Sequence, residues 1–116
     1  NCRLNFYKRG ADGSWPVTTG QMTVYQSIRT SNFGPNQIQA VDLDASAGRC
    51  AAISGTSDDL VILDYNSSTN LWEEHSNFTA VNDTFDVATN GFQLFVLYEH
   101  YSYNVKLLQI ILLQIK

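Results

Sequence analysis

The stretch from Asp58 to Thr79 constrains the fold of this chain more than any other. Its apolar run, Leu60 to Leu63, leads through a polar tip of Asn66, Ser67, Ser68, Thr69 and Asn70 into a second run opened by Leu71 and Trp72. That order is the grammar of a β-hairpin. The same grammar occurs earlier, where Leu4, Phe6 and Tyr7 pass through Gly10, Ala11, Asp12, Gly13 and Ser14 to Trp15. A strand, a polar turn and a tryptophan are therefore expected as a repeated module.

Around these two stretches the chain alternates short β patterns with turns. Cys2, Leu4 and Phe6 fall on one face of a strand, with Arg3 and Asn5 on the other. Trp15 to Gln26 reads as a strand interrupted by Pro16 and Gly20, and residues 30–37, with Asn32, Gly34, Pro35 and Asn36, as a loop. Ile38 to Leu43 is expected to carry Val41 and Leu43 inward, and Arg49 to Ser54 to place Cys50 and Ala52 on a shared face. A second hairpin joins Phe85 to Ala88 with Phe92 to His100, through a type I′ turn at Asn90-Gly91. The expected fold is all-β, an antiparallel β-sandwich or a propeller-like stack of short sheets with about eight strands. Residues 1–116 form a single domain, divisible into half-modules 1–30, 31–79 and 80–116.

Composition narrows the class of protein. Hydrophobic residues make up 44 % of the chain and charged residues 16 %, enough apolar surface for one core. The net charge is −4, and the seven Lys and Arg residues are scattered from Arg3 to Lys116. A phosphate-binding surface needs clustered cations, so nucleic acid is disfavoured as a partner, as is an anionic membrane surface. Cys2 and Cys50 are an even pair in a small domain that also carries sugar-acceptor motifs, which fits one disulfide made in an oxidising compartment. In the chain-entropy description that bridge stabilises by roughly 4 kcal/mol; the alternative is two buried free thiols. Asn-x-Ser/Thr motifs stand at Asn66, Asn77 and Asn82, none with proline in the middle. They predict N-linked glycans, a secretory route and an extracellular location. The chain begins at Asn1 with no visible signal peptide, as expected of a processed product or a piece of something longer.

The run Val105 to Ile115 is too short to cross a membrane as a helix, which takes about 20 residues. As a strand it presents Leu107, Ile111, Leu113 and Ile115 on one face and Leu108, Ile110 and Leu112 on the other, so both faces seek burial. Low charge, absence of proline and high β propensity make it the chain's main candidate for edge-to-edge association. Leu107, Leu108, Ile110, Ile111, Leu112 and Leu113 are the expected contact residues. Burial as a central core strand or a short helix is the alternative.

Ser31-Asn32-Phe33-Gly34, then Ala40 to Gly55, then Leu60 to Tyr65 and Trp72, together resemble a blade of an integrin-like FG-GAP β-propeller. The resemblance covers Ser31 to about Thr79 and implies a four-stranded blade, with a poorer second blade from Ala80. At about 40 to 45 residues per repeat, the chain holds fewer than three blades. The resemblance therefore implies a fragment or an oligomer, the alternative being a sandwich with similar hairpins.

No residue pattern points to catalysis. His75 and His100 lie in no zinc spacing. Asp42, Asp44, Ser46 and Gly48 alternate as a calcium loop begins, but Ala47 stands where an EF-hand needs glycine and no bidentate Glu closes the loop. Glu73 with Glu74, and Asp83 with Asp86, lack the fixed separation across a cleft that paired-carboxylate hydrolysis requires. No enzyme activity, cofactor or metal is expected. The expected function is structural: a secreted glycoprotein module that associates with copies of itself or with other extracellular matrix proteins through strand edges. The alternative is a carbohydrate-binding or cell-adhesion domain, suggested by Tyr7, Trp15, Tyr25, Trp72, Tyr98, Tyr101 and Tyr103.

Overall fold

A computed structural model of the chain describes residues 3–29, 38–54, 59–79, 84–102 and 104–115, with side chains of residues 78, 85, 100–102, 105–108 and 111 left aside. The fold is all-β and antiparallel throughout, a stack of short sheets with no barrel closure. The central sheet is a four-stranded meander of β5 (Ile38–Asp44), β6 (Arg49–Ser54), β7 (Asp59–Asn66) and β8 (Leu71–Thr79). On one side lies a three-stranded meander of β9 (Thr84–Thr89), β10 (Gln93–Ser102) and β11 (Val105–Gln114). On the other side β1 (Leu4–Phe6) pairs with β4 (Gln26–Ile28), and between them in sequence β2 (Val17–Thr18) and β3 (Gln21–Met22) form a small hairpin.

Two cores lie on opposite faces of the central sheet because strand side chains alternate. Ala51, Ile53, Leu60 and Ile62 pack against Val87, Leu94 and Val96 of the three-stranded sheet, with Leu113 and Ile115 closing the edge. Cys50, Ala52, Val61 and Leu63 face the other way, against Leu4, Phe6, Ile28, Ile38 and Trp72. Covering both faces explains why β6 and β7 are continuous apolar runs rather than alternating ones. Burying each Leu or Ile there contributes about 1.5–3 kcal/mol. Small Ala51 and Ala52 let the flanking sheets approach.

Turns and strand limits follow local chemistry, and several differ from expectation. The hairpin of residues 58–79 is present: Asn66 pairs with Leu71 across a four-residue tip, and Asn70 takes the left-handed conformation (φ 58°) that asparagine tolerates. The expected strand Trp15–Gln26 is instead β2, β3 and the start of β4, because Thr19 and Gly20 both adopt positive φ (53° and 78°) and reverse the chain in two residues. This division, and the shortness of β1 to β4, brings the strands among the described residues to eleven where about eight were expected. Asn90-Gly91 is not a type I′ turn: Gly91 alone has positive φ, and the Asn90 Oδ1 accepts from the backbone N–H groups of Phe92 and Gln93 at 3.0 and 2.9 Å. Trp15 is exposed whereas Trp72 is packed, so the two tryptophans do not play the same part.

Two inward assignments are also corrected. Val41 and Leu43 are 50 % and 49 % exposed. They lie on the face of the central sheet that β1 and β4 cover over β6 to β8, while the alternate residues Ala40 and Asp42 turn toward β9; Asp42 Oδ2 accepts the Thr89 N–H at 2.8 Å. The expected Cys2–Cys50 disulfide is not seen: Cys50 is a free, buried thiol, and Cys2 lies outside the described residues. Burial, with a smaller contribution from the nearby Asp42 charge, pushes the Cys50 thiol up to about 12.

Candidate functional site

Two surfaces stand out, one at the end of the stack and one in a cleft between sheets. At the end of the stack, β11 is an edge strand, bonded to β10 over its whole length from Ser102↔Val105 to Gln93↔Gln114. Register fixes which residues face outward, away from the central sheet. Phe95 lies between Ala88 and Leu112, and Leu97 between Asp86 and Ile110. Ile110 is 67 % exposed and Leu112 51 %, with Phe95 also exposed. A shallow depression of about 170 Å³ opens among Asp86, Val87, Ala88, Phe95, Leu97 and Ile110.

The six expected self-association residues are thus divided. Ile110 and Leu112 are on the outer face, and Leu108 holds an outward register position opposite Glu99. Leu113 instead packs into the inner core, and Leu107 and Ile111 hold register positions opposite His100 and Val96, alternate to the outward ones. One face of the final strand is therefore consumed by the fold and the other is left open.

The second surface is an aromatic cleft of about 290 Å³ where the β1–β4 sheet meets one end of the central sheet. Phe6, Tyr7, Lys8 and Tyr25 form one wall; Leu43, Ala45, Tyr65 and Trp72 form the other. Phe6 stacks on Trp72 with centroids 5.0 Å apart and planes at 10°, and Tyr65 meets Trp72 edge-on at 5.5 Å. Hydrogen bonds hold these rings. Gln26 clamps the Trp72 backbone, its Nε2 donating to the carbonyl at 2.8 Å and its Oε1 accepting the N–H at 2.7 Å. The Tyr25 N–H donates to the Phe6 carbonyl at 2.8 Å, the Tyr25 hydroxyl to the Asn70 carbonyl, and the Tyr65 hydroxyl to Asn70 Oδ1 at 2.9 Å. Lys8 Nζ lies 5.2 Å from the centre of the Tyr25 ring.

Of the aromatics noted in the sequence, the cleft gathers Tyr7, Tyr25 and Trp72. Trp15 and Tyr98 lie elsewhere, Tyr101 belongs to β10 with no side chain described, and Tyr103 is outside the described residues. Phe6, Lys8, Leu43 and Tyr65 are cleft residues that no motif announces. Only Tyr65 had a local signal, as the cross-strand neighbour of Trp72 in the hairpin.

The polar candidates are spent on structure. Asp44 Oδ1 accepts the Ala47 N–H at 3.0 Å and the Ser46 hydroxyl at 2.8 Å, capping the β5–β6 turn, and these bonds hold its carboxyl below the ordinary range. Among the described residues, no group of three or more His, Cys, Asp or Glu side chains converges as metal ligands would. His75 Nδ1 lies 2.9 Å from the Ser76 hydroxyl and its Nε2 3.8 Å from Asp64, while the side chain of His100 is not described. Asp86 accepts the neighbouring Val87 N–H at 2.9 Å, and Asp83 is outside the described residues.

The acceptor asparagines are placed differently from one another. Asn66 is half-buried at the end of β7, where Nδ2 donates to Glu73 at 3.0 Å and Oδ1 accepts the Ser68 N–H at 2.9 Å. Asn77 is exposed on β8, and Asn82 is outside the described residues. Among the described residues, no helix is long and apolar enough to cross a membrane. No family model matches the chain, and the search of curated proteins returned no match.

Proposed function

We propose that this chain is a secreted, glycosylated structural module that associates with copies of itself through β11 and the outer face of its sheet. The observation that carries this reading is the exposure of Ile110 and Leu112, beside Phe95, on an edge strand ten residues long. An exposed edge offers backbone donors and acceptors to an added strand, and the apolar row beside it supplies the area that makes such pairing adhesive. The outer face of the short β1–β4 pair is polar at Asn5 and Ser27, which are exposed and bonded to each other at 2.8 Å, although Val17, Met22 and Val24 of the same N-terminal segment are also exposed. A second copy presenting the same outer face sets Ile110, Leu112 and Phe95 against their own counterparts, a two-fold, self-complementary contact. The motifs at Asn66, Asn77 and Asn82 support the secretory part of the reading, with glycans keeping the remaining surfaces soluble.

The test compares the native protein with an Ile110→Lys, Leu112→Lys variant by light scattering behind size exclusion and by negative-stain microscopy. Oligomers or filaments in the native protein that collapse to monomers in the variant support the reading. A native protein that is monomeric up to about 100 μM, weaker than any stable assembly, overturns it.

A further inference from the structure

The cleft between the β1–β4 sheet and the central sheet is built unlike a gap left by imperfect fit. Its rings come from four strands or strand ends, and Phe6, Tyr25, Tyr65 and Trp72 are each held by a stacking contact or hydrogen bond within the protein, so most of the lining stands ready before a ligand arrives. Ring faces at such spacing suit a flat, weakly polar surface, and the axial C–H face of a pyranose is one. Charge narrows the choice further. The chain as a whole is acidic at −4, yet residues 3–29 carry Arg3, Lys8, Arg9 and Arg29 against Asp12 alone. Of these, Lys8 stands in the cleft wall, and no carboxylate shares that wall with it. A cation beside exposed aromatic rings, in an otherwise acidic protein, matches a ligand with an apolar ring face and one negative group.

The geometry points to the cleft of Tyr7, Lys8, Tyr25, Leu43 and Trp72 as a binding site for a pyranose ring bearing a carboxylate, as in uronic-acid glycans. The sugar ring lies against Tyr25 and Tyr7, with its carboxylate toward Lys8. Trp72 and Phe6, stacked on each other, form the floor and act through positioning rather than as the exposed platform. The site is remote in sequence from β11, so ligand binding and self-association are separable.

The probes are methyl β-D-glucuronide and methyl β-D-glucoside, titrated into the full chain and followed by saturation-transfer NMR and by the Trp indole and amide shifts. The expected result is binding of the glucuronide near the millimolar range and of the glucoside about tenfold more weakly. Tyr25→Ala should remove binding of both, and Lys8→Gln should bring the glucuronide down to the level of the glucoside. Leu43→Glu, a substitution at a half-exposed position that leaves the core untouched, should repel the glucuronide more than the glucoside. No saturation transfer to the glucuronide at about 10 mM overturns the proposal, as does equal affinity for the two sugars that Lys8→Gln and Leu43→Glu leave unchanged.

Discussion

A Cβ placed on Gly91 would stand 2.3 Å from the Cβ of Ala47, so the β9–β10 turn and the β5–β6 turn touch with no room for a side chain between them. Gly91 also holds φ at +95° and lends its carbonyl to Arg49 Nη1 at 2.7 Å. This is where the three-stranded sheet is locked to the central one. Gly91→Ala is expected to destabilise by ~1–2 kcal/mol through the left-handed backbone and by a further ~1–3 kcal/mol through crowding. Urea unfolding measures the sum. Adding Ala47→Gly should recover the crowding part alone; full recovery would mean that backbone conformation contributes nothing.

Arg49 also grips Asp64 with two bonds, Nε to Oδ1 at 2.7 Å and Nη2 to Oδ2 at 3.0 Å, both partners being partly buried. The Arg49 hydrogen bond is the main reason that the Asp64 carboxyl is held below its ordinary value. A depressed carboxyl stabilises the fold fully above its unfolded pKa, about 3.9, and that stabilisation is lost as pH falls through the folded value. Arg49→Leu should lower stability near neutral pH by about 1–2 kcal/mol, a figure already reduced for the solvent exposure of Asp64. It should also flatten the fall in stability below pH ~4, since the carboxylate no longer gains from its partner. Urea midpoints measured from pH 7 down to pH 2.5 check this, and parallel curves for the two proteins would contradict it. Asp12 and Asp44, also held low by turn hydrogen bonds, titrate in both proteins and cancel from the comparison.

The buried Cys50 thiol, raised to about 12, is expected to be inert in the folded protein. At pH 8 its thiolate is about one molecule in ten thousand. In a Cys2→Ser background, where no bridge to Cys50 can form, iodoacetamide should leave the native chain unmodified over hours and alkylate it fully in guanidinium. Mass spectrometry reads both states. Native alkylation at the unfolded rate would show that Cys50 is not buried.

How much of this was legible in the sequence depends on how local the signal is. The hairpin of residues 58–79 was readable because apolar run, polar tip and aromatic restart are adjacent in the chain, and β9 with β10 was readable from the turn signal at Asn90-Gly91, whereas no local signal said that β10 pairs with β11. The division of β11 into an inner face with Leu113 and an outer face with Ile110 and Leu112 followed from the two-residue period. Val41 and Leu43 went astray because period alone does not say which face a neighbouring sheet covers, and the short β1–β4 sheet, though it packs near Ile38, leaves Val41 and Leu43 of β5 open. The cleft was beyond reach for a related reason. Phe6, Tyr25, Leu43 and Trp72 meet only after two sheets have stacked, and no spacing along the chain encodes that meeting. The Thr19-Gly20 reversal was missed because threonine is an unusual occupant of positive φ.

Every pairing in the two larger sheets joins consecutive strands, and this has a mechanical meaning. Tension applied at Ile115 acts on the end of β11 that lies beside Gln93, where the β10–β11 ladder begins. The load then meets the hydrogen bonds one after another, as in opening a zip, rather than all together as in shearing. Each bond alone resists weakly, about 1 kcal/mol net. Pulled from that end the chain yields strand by strand at low force, whereas a second copy clasped along β11 would spread the same pull over the whole strand and stiffen the joint.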